Sequence, residues 1–386
     1  MKYLWPLAVL FLSNLLSAQE SENPLFSSFE NYKKAKENTP FQVKWISAGP
    51  VTNSARVEAL QGDPNQPGTM YVAFGSGNLW KTTNNGLDWK PIFENQPTLG
   101  IGDIAIAPSN SEILYLGTGE SLRKNRNFTM PGTGVYRSDD GGETWTHLGL
   151  EETWHIGEIA VHPHNPDIVF VAAMGKFWSE SSSKGIYRTI NGGKDWERVL
   201  YVNENTRAND IVIAHSNPKI IYASMWENND NTNIAESVYG PNSGIYYSSD
   251  GGSSWKKSKN GLPDEPKIGR IGLAVSYQDA QKVYALMDNR NETEGNSAEV
   301  YQSMNGGVTW KRSHNDTLRI FPGNNIGWYF ADIYVNPKND EEIYSLGVRM
   351  AHSKDGGKTF STVGGNIQHL QPSPAQTLHL DHCELW

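Results

Sequence analysis

The sequence predicts an all-β chain, a β-propeller of four-stranded blades, and three observations carry that expectation. A turn motif, Ser/Thr-x-Asp/Asn-x-Gly-x-x-Trp/Phe, occurs six times. The copies begin at Thr82, Ser138, Thr189, Ser248, Ser303 and Ser353, which are 56, 51, 59, 55 and 50 positions apart. Around each copy the same order of short apolar runs and Pro/Asn turns recurs. A period near fifty residues marks a repeat architecture, and many short strands per repeat mark the propeller among such architectures.

The motif, called the box below, has a mechanical reading. Its Asp or Asn accepts a backbone N–H within the turn, and its Ser or Thr hydroxyl satisfies another turn donor. Its Gly supplies the left-handed conformation that a tight hairpin requires. The final aromatic opens the next strand and buries a large ring between sheets. Six equivalent carboxylate or amide positions cannot all be catalytic, so the boxes are read as structural.

From the N-terminus, residues 1–18 read as a secretory leader. Lys2 is basic, residues 4–12 are apolar apart from Pro6, and Ser17-Ala18 offers a cleavage site with Leu16 in place of the usual small residue. The run is short for a membrane span, and no Cys follows it to carry a lipid. Export to the periplasm, cell surface or medium of a bacterium is the expectation. Residues 19–39 read as a linker or a short helix, with Leu25, Phe29 and Tyr32 at helical spacing.

From residue 40 each repeat has four strands. In the second, residues 101–107 form the innermost strand A, 113–117 strand B, 134–137 strand C, and Trp145 opens strand D. Further A strands begin near Arg56, Ile156, Asn209, Ile268, Phe330 and Leu378. Residues 41–45 read as a lone D strand and 378–382 as a lone A strand. The expectation is six complete blades plus a partial seventh within a domain over 40–386, the chain being the N-terminal part of a longer protein.

Bulk properties agree. The chain has 386 residues, 37 Gly and 20 Pro dispersed among turn positions, and 13 Trp, five of which the boxes absorb. The net charge of −9, with no Lys/Arg stripe, argues against nucleic acid. The single cysteine, Cys383, has no partner for an internal disulfide and no identifiable base to make it a nucleophile.

Propeller geometry puts all the boxes on one face and the B–C and D–A loops on the other. The boxes are regular and these loops are not, so ligand contacts are expected on the loop face. The B–C loop of blade 2 carries Glu120 and Arg123, that of blade 3 Trp178, and that of blade 4 begins at Trp226. The D–A loops carry Trp154, His155, Trp328 and Tyr329, and Asp381 ends the last A strand. Aromatic rings here suit stacking on sugars or gripping a peptide, although each also suits packing a loop onto the rim. The expected partner is a protein, peptide or glycan.

A glycosidase would need two of these carboxylates, Glu120 and Asp381 for instance, at about 5–5.5 Å or 6.5–9.5 Å. No cofactor and no metal are expected. In His379-x-Asp381-His382 strand alternation turns His382 away from the other two, and residues 228–231 lack calcium-loop spacing.

The boxes, with Gly185-Ile186-Tyr187-Arg188-Thr189 and Gly244-Ile245-Tyr246-Tyr247-Ser248 leading into them, resemble bacterial Asp-box (BNR) propellers. Trp45-x-x-x-Gly49-Pro50, Gly117-Thr118-Gly119-Glu120-Ser121 and Gly261-Leu262-Pro263 resemble exported bacterial proteins related to the sortilin N-terminal propeller. The resemblance covers essentially residues 40–386. It implies the propeller fold, a frequent label of glycosyl hydrolase, and a chain that continues beyond Trp386. Sialidases share the boxes but use an Arg-Ile-Pro motif, and Arg270-Ile271 is followed here by Gly272. Xyloglucanase-type hydrolases place an Asp in an early blade where Gly75-Ser76-Gly77-Asn78-Leu79-Trp80-Lys81 stands here. Neither catalytic set carries over. The reading is an exported binding module, with glycoside hydrolysis of a polysaccharide as the alternative.

Overall fold

The computed structural model describes residues 23–39, 56–121, 129–177, 181–228, 238–264, 266–291, 297–315, 318, 320–321 and 327–363. Six four-stranded antiparallel sheets stand in a ring, each a meander of consecutive strands. Blade 1 comprises β1 (Val57–Gly62), β2 (Met70–Phe74), β3 (Asn78–Thr82) and β4 (Lys90–Pro91). Blade 2 comprises β5 (Ile101–Ile106), β6 (Leu114–Thr118), β7 (Val135–Ser138) and β8 (Thr146–His147). Blade 3 comprises β9 (Ile156–Val161), β10 (Val169–Ala173), β11 (Gly185–Thr189) and β12 (Glu197–Leu200). Blade 4 comprises β13 (Thr206–Ile213), β14 (Ile221–Glu227), β15 (Gly244–Ser248) and β16 (Lys256–Lys257). Blade 5 comprises β17 (Ile268–Val275), β18 (Val283–Asn289), β19 (Ala298–Ser303) and β20 (Lys311–Arg312). Blade 6 comprises β21 (Asp332–Asn336), β22 (Asn339–Leu346), β23 (Met350–Ser353) and β24 (Ser361–Val363). The end segments expected to form a partial seventh blade, 41–45 and 378–382, lie outside the described residues.

Burial explains the strand lengths. The second strands of blades 2 and 3, Leu-Tyr-Leu-Gly-Thr and Val-Phe-Val-Ala-Ala, are buried at every position and read as unbroken apolar runs. The outermost strand is two residues long in blades 1, 2, 4 and 5, which leaves little unpaired edge for another chain to pair with.

The apolar cores lie between blades. One unites Tyr71 and Leu79 of blade 1 with Ile104 and Leu116 of blade 2, and others repeat the pattern at the next four seams. Each box aromatic after the first packs at such a seam. The indoles of Trp145 and Trp196 also donate to Ile92 O and Leu148 O on the preceding blade, at 2.9 and 2.8 Å.

All six boxes adopt one geometry. The Ser/Thr hydroxyl accepts the Gly N–H and donates to the Asp/Asn side chain, as in Ser248, Gly252 and Asp250. Where the box carries Asp, a hydroxyl four residues on donates to it, as Ser254 does to Asp250 at 2.6 Å and Thr359 to Asp355 at 2.7 Å. In all three Asn boxes the polarity reverses, Asn305 donating to Thr309 at 2.8 Å. Asn84 and Asn191 donate to Asp88 and Asp195 at 3.1 and 2.9 Å. A backbone N–H within each box then donates to the neighbouring A–B turn, for example Gly141 to Glu112 O at 2.9 Å. Both turn sets therefore share one face.

A second repeated device holds the seams. Buried tyrosines on the second strands send their hydroxyls into a turn of the next blade. Tyr115 donates to Pro166 O, Tyr222 to Ala280 O and Tyr284 to Asp340 O, each at 2.8 Å. Blade 3 has Phe170 at this place and forgoes the bond.

The innermost strands touch in succession, β1 to β5, β9, β13, β17 and β21. They approach so closely that a Cβ on Gly102 would stand 2.1 Å from Ile156 O, and one on Gly272 2.1 Å from Ala331 O. These strands line an axial channel of about 650 Å³. Pro64, Pro108, Pro163, His215 and Tyr277 stand at its box-face end, and Glu58, Ser121, Arg270 and Asp332 towards its loop-face end.

The segment left open as linker or helix is helical from Pro24 to Glu37. Asn23 caps it through Leu25 N and donates its side-chain amide to Gly132 O at 3.0 Å. Phe26 meets His147 edge-on, so this helix, α1, seats on blade 2.

Candidate functional site on the loop face

Six of the expected contact residues converge on one region, and Phe177, next to Trp178 in the chain, joins them. Phe177 is buried and stacks on His155 with centroids 3.9 Å apart and planes 3° from parallel. It also packs with Met174, Trp226 and Val238, against which Tyr239 and Trp328 lean. Trp328 meets Tyr329 edge-on at 5.4 Å. Loops of blades 3 and 4 and the approach to blade 6 are thereby fastened into one surface.

The partners show which of these rings face solvent. Trp226 is buried and its Nε1 donates to Val238 O at 2.8 Å, fastening the two ends of its own loop. Tyr329 is buried. Trp154 and Trp328 are half-buried and keep accessible ring surface. Arg123, Trp178 and Asp381 lie outside the described residues.

Below this surface sits a charged cluster. The Glu120 carboxylate is fully buried and paired with Arg56 Nη2, and its Oε2 accepts Met130 N at 3.3 Å. The Glu120 carbonyl accepts His155 Nδ1–H at 2.9 Å, which fixes the tautomer because a carbonyl only accepts. Burial pushes the His155 pKa down to about 3, so the ring is neutral. Glu58 lies beside Glu120. A Cβ on Gly75 would stand 2.8 Å from Glu58 Oε1 and 3.1 Å from Glu120 Cδ. Desolvation first, then the Glu120 charge, raise the Glu58 pKa to about 8, against the opposing pull of Ser121 and Arg56. Arg56 and Glu58 were not singled out from the sequence. Only their place on the first A strand offered a signal, and nothing in the chain pairs them with Glu120, 62 or more residues on.

Trp154 has the least ordinary backbone of the set. It follows a short 3-10 turn, Glu151–Thr153, and has φ 56° and ψ −38°. His155 N donates to Thr153 O across it at 2.5 Å, closing a three-residue γ-turn of the rare, strained hand. A bulky residue at positive φ is held only by surroundings that over-determine it. Here Gly132 N donates to Trp154 O at 2.7 Å, and Gly119 has no Cβ to strike that carbonyl, which would stand 1.9 Å away. Lys176 Nζ lies 5.1 Å from the Trp154 ring centroid and 3.9 Å from Glu152 Oε2. The Trp154 Nε1 is buried and has no hydrogen-bond partner among the described residues.

Fold and site together define a propeller with a structural box face and a consolidated, partly aromatic loop face. The family described as "Sortilin, neurotensin receptor 3" matches residues 133–297. Xyloglucanase Xgh74A of Acetivibrio thermocellus is 24% identical over 350 residues, covering 74% of this chain and 39% of its own length. Among solved structures, an ancestral GH74 enzyme superposes with a TM-score of 0.57 at 21% identity, over 80% of this chain and 38% of its own. The GH74 enzyme of Niastella koreensis gives 0.51 at 15% identity, over 81% and 59%. The chain therefore spans about two fifths of the length of the Acetivibrio xyloglucanase. Among the described residues no helix is long and apolar enough to cross a membrane, and no group of three or more His, Cys, Asp or Glu is placed to hold a metal ion.

Proposed function

We propose that this chain is an exported binding propeller that takes a polymeric glycan across its loop face. The observation that carries the reading is Trp154. A strained turn spends stability to hold a partly buried tryptophan at this surface, with a cation over its ring. Strain of this kind clusters where a ligand is held. A sugar ring offers an apolar face for the indole and hydroxyls for Lys176 and Glu152. Trp328 supplies a second accessible ring on the same surface. The xyloglucanase relatives, named for a polysaccharide, favour a glycan over a peptide or protein. The leader residues 1–18 are the basis for export, and the boxes for an Asp-box propeller of bacterial type.

Glycoside hydrolysis is the second reading, favoured by the same relatives. The buried pairing of Glu120 with Arg56 counts against its acting as the acid, and Asn78 rather than Asp stands in the early-blade stretch. Affinity electrophoresis in xyloglucan and other soluble polysaccharides tests binding, with released reducing ends measured alongside. Retardation that Trp154→Ala abolishes, without released sugar, is the expected result. Released sugar that Glu120→Gln eliminates would replace binding by hydrolysis, and retardation unchanged in Trp154→Ala would overturn the site.

A further inference from the structure

Asparagine directly before glycine occurs four times in the chain, at Asn85, Asn191, Asn260 and Asn305. Asparagine is a thermolabile residue, and a following glycine, lacking a Cβ, leaves its backbone nitrogen unshielded beside the side-chain amide. Three of the four pairs belong to boxes, and the box withholds both reacting groups. The nucleophile is the glycine nitrogen. The N–H of Gly86 donates to Thr82 Oγ1 at 3.0 Å, and those of Gly192 and Gly306 donate to Asp167 O and Gln281 O, each at 2.9 Å. The electrophile is the side-chain amide carbon, and in two boxes that amide is held at both ends. Asn191 Oδ1 accepts from the Thr189 hydroxyl and from Asp195 N while its Nδ2 donates to Asp195. Asn305 Oδ1 accepts from the Ser303 hydroxyl and from Thr309 N while its Nδ2 donates to the Thr309 hydroxyl. Asn260 stands apart. It lies just past the last strand of blade 4, and both it and Gly261 are exposed. Among the described residues neither the Asn260 side chain nor the Gly261 N–H makes a hydrogen bond.

We infer that Asn260 is a site of spontaneous deamidation, the one of the four pairs whose glycine nitrogen the native fold leaves free. The Gly261 nitrogen attacks Asn260 Cγ and gives up its proton, a C–N bond forms, and the side-chain nitrogen leaves as ammonia. Water then opens the five-membered imide at either carbonyl and leaves aspartate or isoaspartate, with one new negative charge. Water is the only co-reactant. The Asn260 backbone is held by an isolated bridge to Thr309, with Trp310 N donating to Asn260 O at 2.8 Å. Closing the imide turns the Asn260–Gly261 peptide towards its own side chain, which opens this one bridge, whereas the same movement in a box undoes the hairpin. The product has a structural consequence. Gly261, at φ 81°, lies so close to blade 5 that a Cβ would stand 1.8 Å from Trp310 O. Isoaspartate routes the main chain through the side-chain methylene and lengthens it by one atom at this contact. Trp310 belongs to the core between blades 4 and 5, so the isoaspartate form loosens that seam.

The test is peptide mapping by mass spectrometry on the full chain aged for several weeks at mildly alkaline pH and physiological temperature, beside the same chain aged in denaturant. In denaturant the four sites are expected to convert at comparable rates, because the sequence alone then sets the chemistry. In the native chain Asn260 is expected to convert about tenfold or more faster than Asn191 and Asn305, which local structure protects. Ser303→Ala removes the hydroxyl that donates to the Asn305 amide, and is expected to speed conversion at Asn305 while leaving Asn260 unchanged. If that variant fails to fold, the comparison of native with denatured wild type still decides. The fraction bearing isoaspartate at position 260 is expected to unfold at lower denaturant than the unconverted chain. Conversion of Asn191 or Asn305 as fast as Asn260 in the native chain, or protection of Asn260 as strong as theirs, overturns the inference.

Discussion

The Asp210 carboxylate accepts the backbone N–H of Leu273 at 2.7 Å, reaching from the innermost strand of blade 4 to that of blade 5. Asp103 does the same to Ile159 between blades 2 and 3, also at 2.7 Å. Asp103 is buried and Asp210 lines the axial channel, neither forming an ion pair of its own among the described residues, and desolvation raises both pKa values from 3.8 to about 7.

Stability should consequently fall as pH rises from about 4 to about 8. A carboxyl whose pKa is higher folded than unfolded keeps its proton better in the native state, so the native advantage is lost as pH rises through the folded value. Glu58 acts in the same sense up to about 8. The box carboxylates oppose this at the acid end. Hydroxyl donation from Ser254 and Thr359 lowers Asp250 and Asp355 to about 2, and that contribution disappears as pH falls from about 4 towards 2. His155, pushed down to about 3, works against the hub carboxyls below about pH 6.5 without outweighing them, so thermal unfolding across pH is expected to show a maximum near pH 4, and Asp210→Asn to flatten the alkaline limb. A midpoint that climbs steadily to pH 8 would refute this.

The tyrosine clamp should contribute at each seam where it occurs. Tyr115 donates to Pro166 O and accepts from Arg137 at 2.7 Å. Tyr115→Phe removes both bonds while keeping the ring, and is expected to cost about 1–2 kcal/mol in denaturant unfolding. Phe170→Tyr in blade 3 tests the converse, since only the recipient turn decides whether an added hydroxyl is satisfied.

Box polarity should be exchangeable as a pair. Asn191→Asp sets a carboxylate against Asp195, which now accepts from Asn191 at 2.9 Å. A loss of about 1 kcal/mol is expected, most of it recovered by adding Asp195→Thr, which recreates the Asp355–Thr359 arrangement. A double-mutant cycle with no coupling would show that the two positions act separately.

The ring of blades was legible in the chain because turn chemistry repeats with the fold. Each box names its own acceptor, donor and glycine within eight residues, and strand alternation does the rest. The loop face was legible as a place but not as an arrangement. Trp226 and Trp154 are equal in sequence, yet one fastens its loop and the other stands half-exposed on a strained turn. Which role a tryptophan takes depends on contacts such as Phe177 with His155, made between loops of unrelated length and composition. The Glu58–Arg56–Glu120 cluster was illegible for the same reason, since no local pattern joins one blade's first strand to the next blade's loop. The tyrosine clamp, by contrast, repeats at the same place in the second strands of blades 2, 4 and 5 and could have been read from that recurrence.

Strain at Trp154 gives a stability and binding contrast that a packing role would not. Trp154→Gly relieves a backbone conformation costing about 1–3 kcal/mol, so its unfolding free energy should match or exceed that of Trp154→Ala despite a smaller side chain. Both substitutions remove the indole and should bind glycan equally poorly.

The most direct measurement is hydrogen exchange of the full chain with and without the polysaccharide that retards it most. New protection confined to the loop face, at residues 150–156, 174–177 and 327–329, is the predicted result, with the box turns unchanged. Protection centred instead on the boxes or on the outermost strands would contradict the account.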